Sequence, residues 1–218
     1  MEREGCVTQE AKITQSVPTD TPAEHATAST SILLVVGAGP KAVAIAAKRY
    51  MLAKLGYCVP HVRIIDRQGV ATHWTGNAGF TDGHQFLGTR PEKDIGFPYL
   101  SACWGDKELS RAVAKEMVHL SWQSFLIDQW RYADWIDRGR TRPTHREWSR
   151  YIQWVAEKVE VELYVGEVTG IATTPDQQHW CLTCHPGEGG AAFTVTGDGL
   201  VMTGPGTQIG RASCRERV

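Results

Sequence analysis

Two short runs of aliphatic and β-branched residues, Ile32–Val36 (ILLVV) and His61–Asp66 (HVRIID), frame the first legible unit of the chain. The first, unbroken by polar positions, suits a strand buried on both faces of a parallel sheet, and the second reads as another buried strand, ending on an acid. Between them stand GAGPKA at 37–42 and an alanine-rich stretch at 43–55 with good helix propensity, which Gly56 is placed to stop. Residues 69–99 carry little periodicity and many Gly, Thr, Asp and Pro residues, and a stretch that long without elements of its own is usually functional. From 113 to 137 aromatic and aliphatic residues recur at helical spacing, ending at Gly139. Thr144 with Glu147 three residues on forms a capping box that predicts a helix over 146–159. A strand is expected at 161–165. Short alternating segments at 168–173, 180–184 and 193–196, separated by turn residues, predict a small antiparallel meander. Residues 200–202 (LVM) then form one more short buried strand, followed by TGPG at 203–206. No internal repeat is present.

Composition narrows the function classes only modestly. The 218 residues suffice for one domain or one and a half, and 42% hydrophobic with 22% charged residues is ordinary for a globular protein. A net charge of −1 supplies no basic stripe, which argues against nucleic acid as a partner. No apolar run approaches the roughly 20 residues of a membrane span. Residues 1–31 are polar, lack the apolar stretch of a secretory signal, and are expected to be a disordered leader, so a cytoplasmic location is expected. The cysteines Cys6, Cys58, Cys103, Cys181, Cys184 and Cys214 are scattered, as free thiols in a reducing compartment would be. Residues 209–218 read IGRASCRERV, the codon-for-codon translation of a common short-read sequencing adapter. That tail is set aside as a non-native addition, which leaves 32–208 as the domain to be explained.

The strongest local signal is Gly37-x-Gly39-x-x-Ala42, lying between an expected strand and an expected helix. The first glycine permits a tight turn, the second lets a pyrophosphate approach the backbone, and the small third residue lets helix pack on strand. The phosphate would sit against N–H groups at the positive helix end, and Asp66 closes the next strand where an acid would accept from ribose hydroxyls. The interval from Ala42 to Asp66 slightly exceeds the usual ~20 residues, consistent with a long first helix. A simple NAD dehydrogenase would continue into a second strand–helix–strand unit. Here a meander follows, then a strand ending in TGPG, the order of a flavoprotein with two dinucleotide domains, so FAD is the better reading. Cys181-Leu182-Thr183-Cys184-His185 spells a c-type haem attachment string. Covalent haem requires export, though, and residues three apart on a strand face opposite ways. No zinc site is expected either, for want of a convincing second ligand pair.

WTGNAG at 74–79, TDGH at 81–84, LGT at 87–89 and above all PEKDIGFPY at 91–99 resemble the siderophore amine N-hydroxylases, most nearly the lysine N6-monooxygenases of mycobactin and nocobactin type. SWQSFLI at 121–127, WIDRGR at 135–140, PTHR at 143–146 and YIQWVA at 151–156 support the same resemblance, which runs from about residue 32 to 206. It implies a Rossmann-like α/β FAD-binding domain, part of a two-dinucleotide-domain enzyme. That enzyme would use FAD, NADPH and O₂ to hydroxylate the ε-amine of L-lysine or a related amine. By the same resemblance Gly37, Ala38, Gly39, Pro40 and Lys41 line the FAD pyrophosphate, and Asp66 with Arg67 beside it meets the adenosine ribose. Trp74 lies near the isoalloxazine, and Lys93 stands at the flavin and the amino acid carboxylate. Val168 contacts adenine through its backbone, and Thr203 with Gly204 sits near the ribityl chain. No side chain is assigned as catalytic and none as a metal ligand, because the cofactor carries the oxygen chemistry.

Two departures stand out. Asp66 replaces the glutamate common in the family, and no second strand, glycine turn and helix follows for NADPH. The chain is therefore expected to be an inactive fragment by itself. Other substrates (ornithine, a diamine), another FAD oxidoreductase of this fold and a non-catalytic flavin-binding module remain open. A disulfide reductase would carry a redox CxxC just after the first helix, and none is there. Oligomeric state is open as well.

Overall fold

The computed structural model describes residues 31–77, 81–99, 106–187 and 189–204. Strands β1 (Ile32–Val36), β2 (His61–Asp66), β3 (Glu162–Val165) and β7 (Gly199–Met202) form a parallel sheet in the order β3-β2-β1-β7. Strands β4 (Glu167–Thr173), β5 (Trp180–His185) and β6 (Phe193–Gly197) form the expected antiparallel meander, with a bulge between Val168 and Gly170. The uninterrupted apolar character of β1, and the apolar Ile64–Ile65 pair of β2, have the reason inferred from sequence. Val35 and Ile64 join the helical core on one face, while Leu34 and Ile65 pack with Leu182, Cys184 and Val195 of the meander on the other. All four sheet residues are fully buried, worth roughly 1.5–3 kcal/mol each in apolar transfer.

Helix α1 (Pro40–Lys54) lays Ala42, Val43, Ala46, Ala47 and Met51 into the helical core. It begins three residues earlier than expected, because Pro40 occupies a first-turn position where a missing N–H costs nothing. Gly56 follows its end at φ +86°. The apolar stretch at 113–137 is not one helix. It divides into α2 (Lys107–Met117), a 3₁₀ turn at Val118–Leu120, α3 (Trp122–Asp128) and α4 (Tyr132–Asp137). The break before α3 is chemical, since the Ser121 hydroxyl accepts from the Ser124 N–H as an N-cap, and the break before α4 holds Trp130 at φ +55°. Helix α5 (His145–Lys158) carries the full capping box: Thr144 accepts from the Glu147 N–H, and the Glu147 side chain accepts from the Thr144 N–H. Its Trp148, Tyr151, Ile152 and Val155 form a buried stripe at helical spacing.

Among the described residues of 69–99 there is a single 3₁₀ turn, Thr72–Trp74, and one isolated bridge, Phe86 to Thr144. Cys184 is buried and Cys181 only partly so, on opposite faces of β5. Among the described residues no helix follows β3, and no helix is long and apolar enough to cross a membrane. Residues 1–30, Cys103, Ala78 and Gly79 of WTGNAG, Pro205 and Gly206 of TGPG, and the 209–218 tail lie outside the described residues.

Candidate functional site

At the carboxyl edge of the parallel sheet lies an open cleft of about 430 Å³, lined by Val36, Gly37, Ile65, Asp66, Arg67, His73, Met202 and the β3–β4 segment from Gly166 to Ile171. Such an edge is where open α/β sheets bind ligands. Its geometry begins with Gly37, which leaves β1 at φ +95° and donates its N–H to the Ile65 carbonyl at 2.7 Å. A side chain at Gly37 would lie in backbone space that L residues rarely adopt, with its Cβ 2.6 Å from Thr203 Oγ1. Thr203 is held there by its own bonds. Its N–H donates to the Val36 carbonyl at 3.0 Å, and its hydroxyl reaches the carbonyls of Val36 at 2.9 Å and Gly37 at 3.3 Å.

Gly39 is the opposite case. It caps α1 in an extended conformation (φ −80°, ψ −175°) that any residue can adopt, and a Cβ built there meets nothing within 4 Å. No side chain caps this end of α1 and no acidic residue stands in its first turn. The helix thus offers unsatisfied N–H groups and the positive end of its dipole to the space in front of Gly39.

Asp66 ties the loop together. Its Oδ2 accepts from the Ala38 N–H at 2.9 Å, and its Oδ1 accepts from the N–H groups of Gln68 at 2.8 Å and Gly69 at 2.9 Å. One carboxylate thereby joins the glycine turn to the segment after β2, leaving part of its acceptor capacity for another donor. Ala71 reinforces the junction by donating its N–H to the Ala38 carbonyl at 3.0 Å.

The sequence-expected residues fall into two groups. Gly37, Asp66, Arg67 and Val168, far apart in the sequence, line the same cleft, and Ala38 and Thr203 are bonded into its rim. Gly39, Pro40 and Lys41 open α1 beside it, and Gly204 follows Thr203 with open space at its Cα. Trp74 and Lys93 do not line the cleft. Trp74 is partly buried in the helical core, edge-on to the His145 ring at 4.9 Å. Lys93 is exposed, with its Nζ 5.7 Å from the centre of the Phe97 ring. Sequence reasoning missed His73, Glu167 and Ile171 as cleft residues. The signal was available for Glu167 and Ile171, which share β4 with Val168, whereas nothing local marks His73.

A second polar centre lies beneath PEKDIGFPY. Asp94 Oδ1 accepts from the Gly96 N–H at 3.0 Å and the Tyr99 hydroxyl at 2.7 Å, and its Oδ2 accepts from the Trp122 N–H at 2.9 Å. Burial pushes the Asp94 carboxyl above the usual carboxylate range, against the pull of those hydrogen bonds. Tyr99 is likewise pushed up, by burial first and by the neighbouring Asp94 carboxylate second. The buried Tyr151 hydroxyl accepts from the Ile95 N–H at 3.2 Å and donates to the Leu120 carbonyl at 2.8 Å.

No protein-family model matches the chain. It is 46% identical over 176 residues to the L-lysine N6-monooxygenase MbtG of Mycolicibacterium paratuberculosis, a match covering 81% of this chain and 39% of that protein. The enzyme of the same name from Mycobacterium tuberculosis matches at 45% identity over 174 residues, 80% of this chain and 38% of the relative. The chain thus spans about two fifths of the length of the curated relatives it matches. Among solved structures, the lysine monooxygenase NbtG of Nocardia farcinica superposes with a TM-score of 0.73 at 44% identity, over 80% of this chain and 43% of that one. The ornithine hydroxylase PvdA of Pseudomonas aeruginosa, at 22% identity and a TM-score of 0.60 over 85% of this chain and 42% of its own, shares the fold.

Proposed function

We propose, on the premise that this chain is a relative of the L-lysine N6-monooxygenases over four fifths of its length, that it is the FAD-binding portion of a siderophore amine N-hydroxylase. Within the full-length protein it would serve the NADPH- and O₂-dependent conversion of L-lysine to N6-hydroxylysine. The observation that carries the cofactor assignment is the open space at Gly39: no atom of the described residues requires a glycine there, and the α1 N-terminus faces that space with N–H groups that no side chain among them caps. A pyrophosphate satisfies both conditions.

In this reading the N–H groups of Gly39, Lys41 and Ala42 hold the pyrophosphate, Pro40 presets the first turn, and the remaining acceptor capacity of Asp66 takes a ribose hydroxyl. Arg67 and the Val168 backbone flank the adenosine end, and Thr203 with Gly204 flanks the ribityl chain. Bound FAD, reduced by NADPH, supplies the activation of O₂. The protein's own tasks are to position the amine and to keep water away. A lysine amine has an ordinary pKa of about 10.4 and must be neutral to accept oxygen, so a desolvated pocket for it is required. Lys93 is assigned to the substrate's carboxylate and Trp74 to the flavin side of that pocket.

The test is N-hydroxylation by the full-length protein. Supplied with FAD, NADPH and O₂, it should form a hydroxylamine product with L-lysine in preference to L-ornithine and cadaverine. A protein that takes up no flavin, or that N-hydroxylates none of the three amines, would overturn the reading.

A further inference from the structure

Lys93 stands between two buried anchors. Pro91 is fully buried before it and Ile95 is 4% exposed after it. Its own N–H donates to the Arg90 carbonyl at 3.0 Å, and the Phe97 N–H returns to the Asp94 carbonyl at 3.2 Å. An exposed lysine on a free loop would sample many positions, whereas this one is mounted on a backbone pinned on both sides. The pin is the Asp94 side chain. Its three bonds reach across the loop to Gly96 and Tyr99 and out of the loop to Trp122, the first residue of α3. Tyr151 of α5 fastens the adjacent Ile95 to the Leu120 carbonyl. The carboxylate is turned into the protein. Its work is done on the loop, and through the loop on its neighbour.

We propose that Asp94 is a positioning residue for amine hydroxylation, fixing the 91–99 loop so that Lys93 presents its ammonium group to the substrate carboxylate. This rests on the assignment of Lys93 given above. An ammonium–carboxylate contact loses strength quickly when its cation is free to wander, because the entropy of ordering the loop must then be supplied on binding. A loosened Lys93 should therefore weaken substrate binding and leave the oxygen chemistry, which the cofactor supplies, largely intact.

The experiment is a double-mutant cycle in the full-length, FAD-loaded protein: Asp94→Asn, Lys93→Ala and the pair, with Tyr99→Phe as a milder variant that keeps the carboxylate and removes one of its bonds. The expected result is a KM for L-lysine raised about tenfold or more by Lys93→Ala. Asp94→Asn should raise it several-fold and Tyr99→Phe less, with kcat within about threefold and FAD occupancy unchanged. In the Lys93→Ala background the Asp94→Asn effect should disappear, since both act on one contact. If Lys93→Ala leaves KM unchanged, the assignment of Lys93 falls and this inference with it. If Lys93→Ala raises KM but Asp94→Asn and Tyr99→Phe do not, the inference alone falls. An Asp94→Asn effect that persists undiminished without Lys93, or that appears in FAD binding or stability instead of KM, assigns Asp94 a purely structural role. If Asp94→Asn does not fold, the same cycle with Tyr99→Phe decides.

Discussion

Gly37 and Gly39 belong to one fingerprint, yet the structure assigns them separate reasons for being glycine, and substitution should separate fold from ligand. Gly37→Ala forces a φ of +95° on a residue with a side chain and drives its Cβ to 2.6 Å from Thr203 Oγ1. Backbone strain of that kind costs about 1–3 kcal/mol, and displacing the Thr203 hydroxyl from its carbonyls adds about 1 kcal/mol. For a domain of this size each kcal/mol moves Tm by roughly 2–4 °C, so a loss of the order of 5–15 °C is expected. Gly39→Ala meets no atom within 4 Å at an ordinary φ of −80°. The entropy lost by the unfolded chain favours alanine by about 0.4–1 kcal/mol, while alanine is the poorer N-cap by a similar amount. Its Tm without FAD should be unchanged within about 2 °C. FAD affinity should fall by at least about tenfold, the scale of one charge-assisted bond, and further for Gly39→Val. Thermal unfolding without cofactor and flavin titration followed by fluorescence measure the two effects independently. The reasoning is refuted if Gly39→Val binds FAD like the parent, or if it lowers Tm as Gly37→Ala does.

Three further outcomes are expected. Glu147 feels burial first, which works against its charge, but the Arg131 guanidinium at 2.7 Å and the Thr144 N–H together hold its carboxyl below the ordinary value. A depressed folded-state pKa contributes stability that is complete above the unfolded value of about 4.3 and is lost as pH falls through the folded one. Glu147→Gln should therefore lower Tm at about pH 7 but close the gap to the parent below about pH 4, and a constant gap would count against the pairing. Cys184, buried and with its thiol pushed up by that burial, should resist iodoacetamide in the native protein and react on unfolding, read by mass spectrometry against the exposed Cys58. The 218-residue chain, given FAD, NADPH, O₂ and L-lysine, should form no N6-hydroxylysine, since the proposed function assigns to FAD the one strand–glycine-turn–helix unit found among the described residues. Turnover at the rate of an intact homologue would show that assignment to be mistaken.

What the amino-acid sequence determined by itself is what neighbouring residues decide among themselves. The β1–turn–α1–β2 unit was legible because buried strands, a glycine turn and an alanine-rich helix each leave a local signature. The Thr144–Glu147 capping box and the meander were legible for the same reason. The motif at 91–99 named a family without revealing how the loop is held. Other features depend on partners far along the chain. β7 pairs with β1 across more than 160 residues, and only that pairing brings Thr203 against Gly37 and explains the glycine. Asp66 read as a ribose acceptor, whereas in the fold it also ties three backbone N–H groups. Helical periodicity runs through 113–137 without marking its breaks, but the Ser121 cap and the left-handed Trp130 divide it, and that division presents the Trp122 N–H to Asp94. Periodicity records which face is apolar. Where a chain turns, and which buried carboxylate receives which N–H, is decided by hydrogen bonds and burial between segments that become neighbours only when the sheet is assembled.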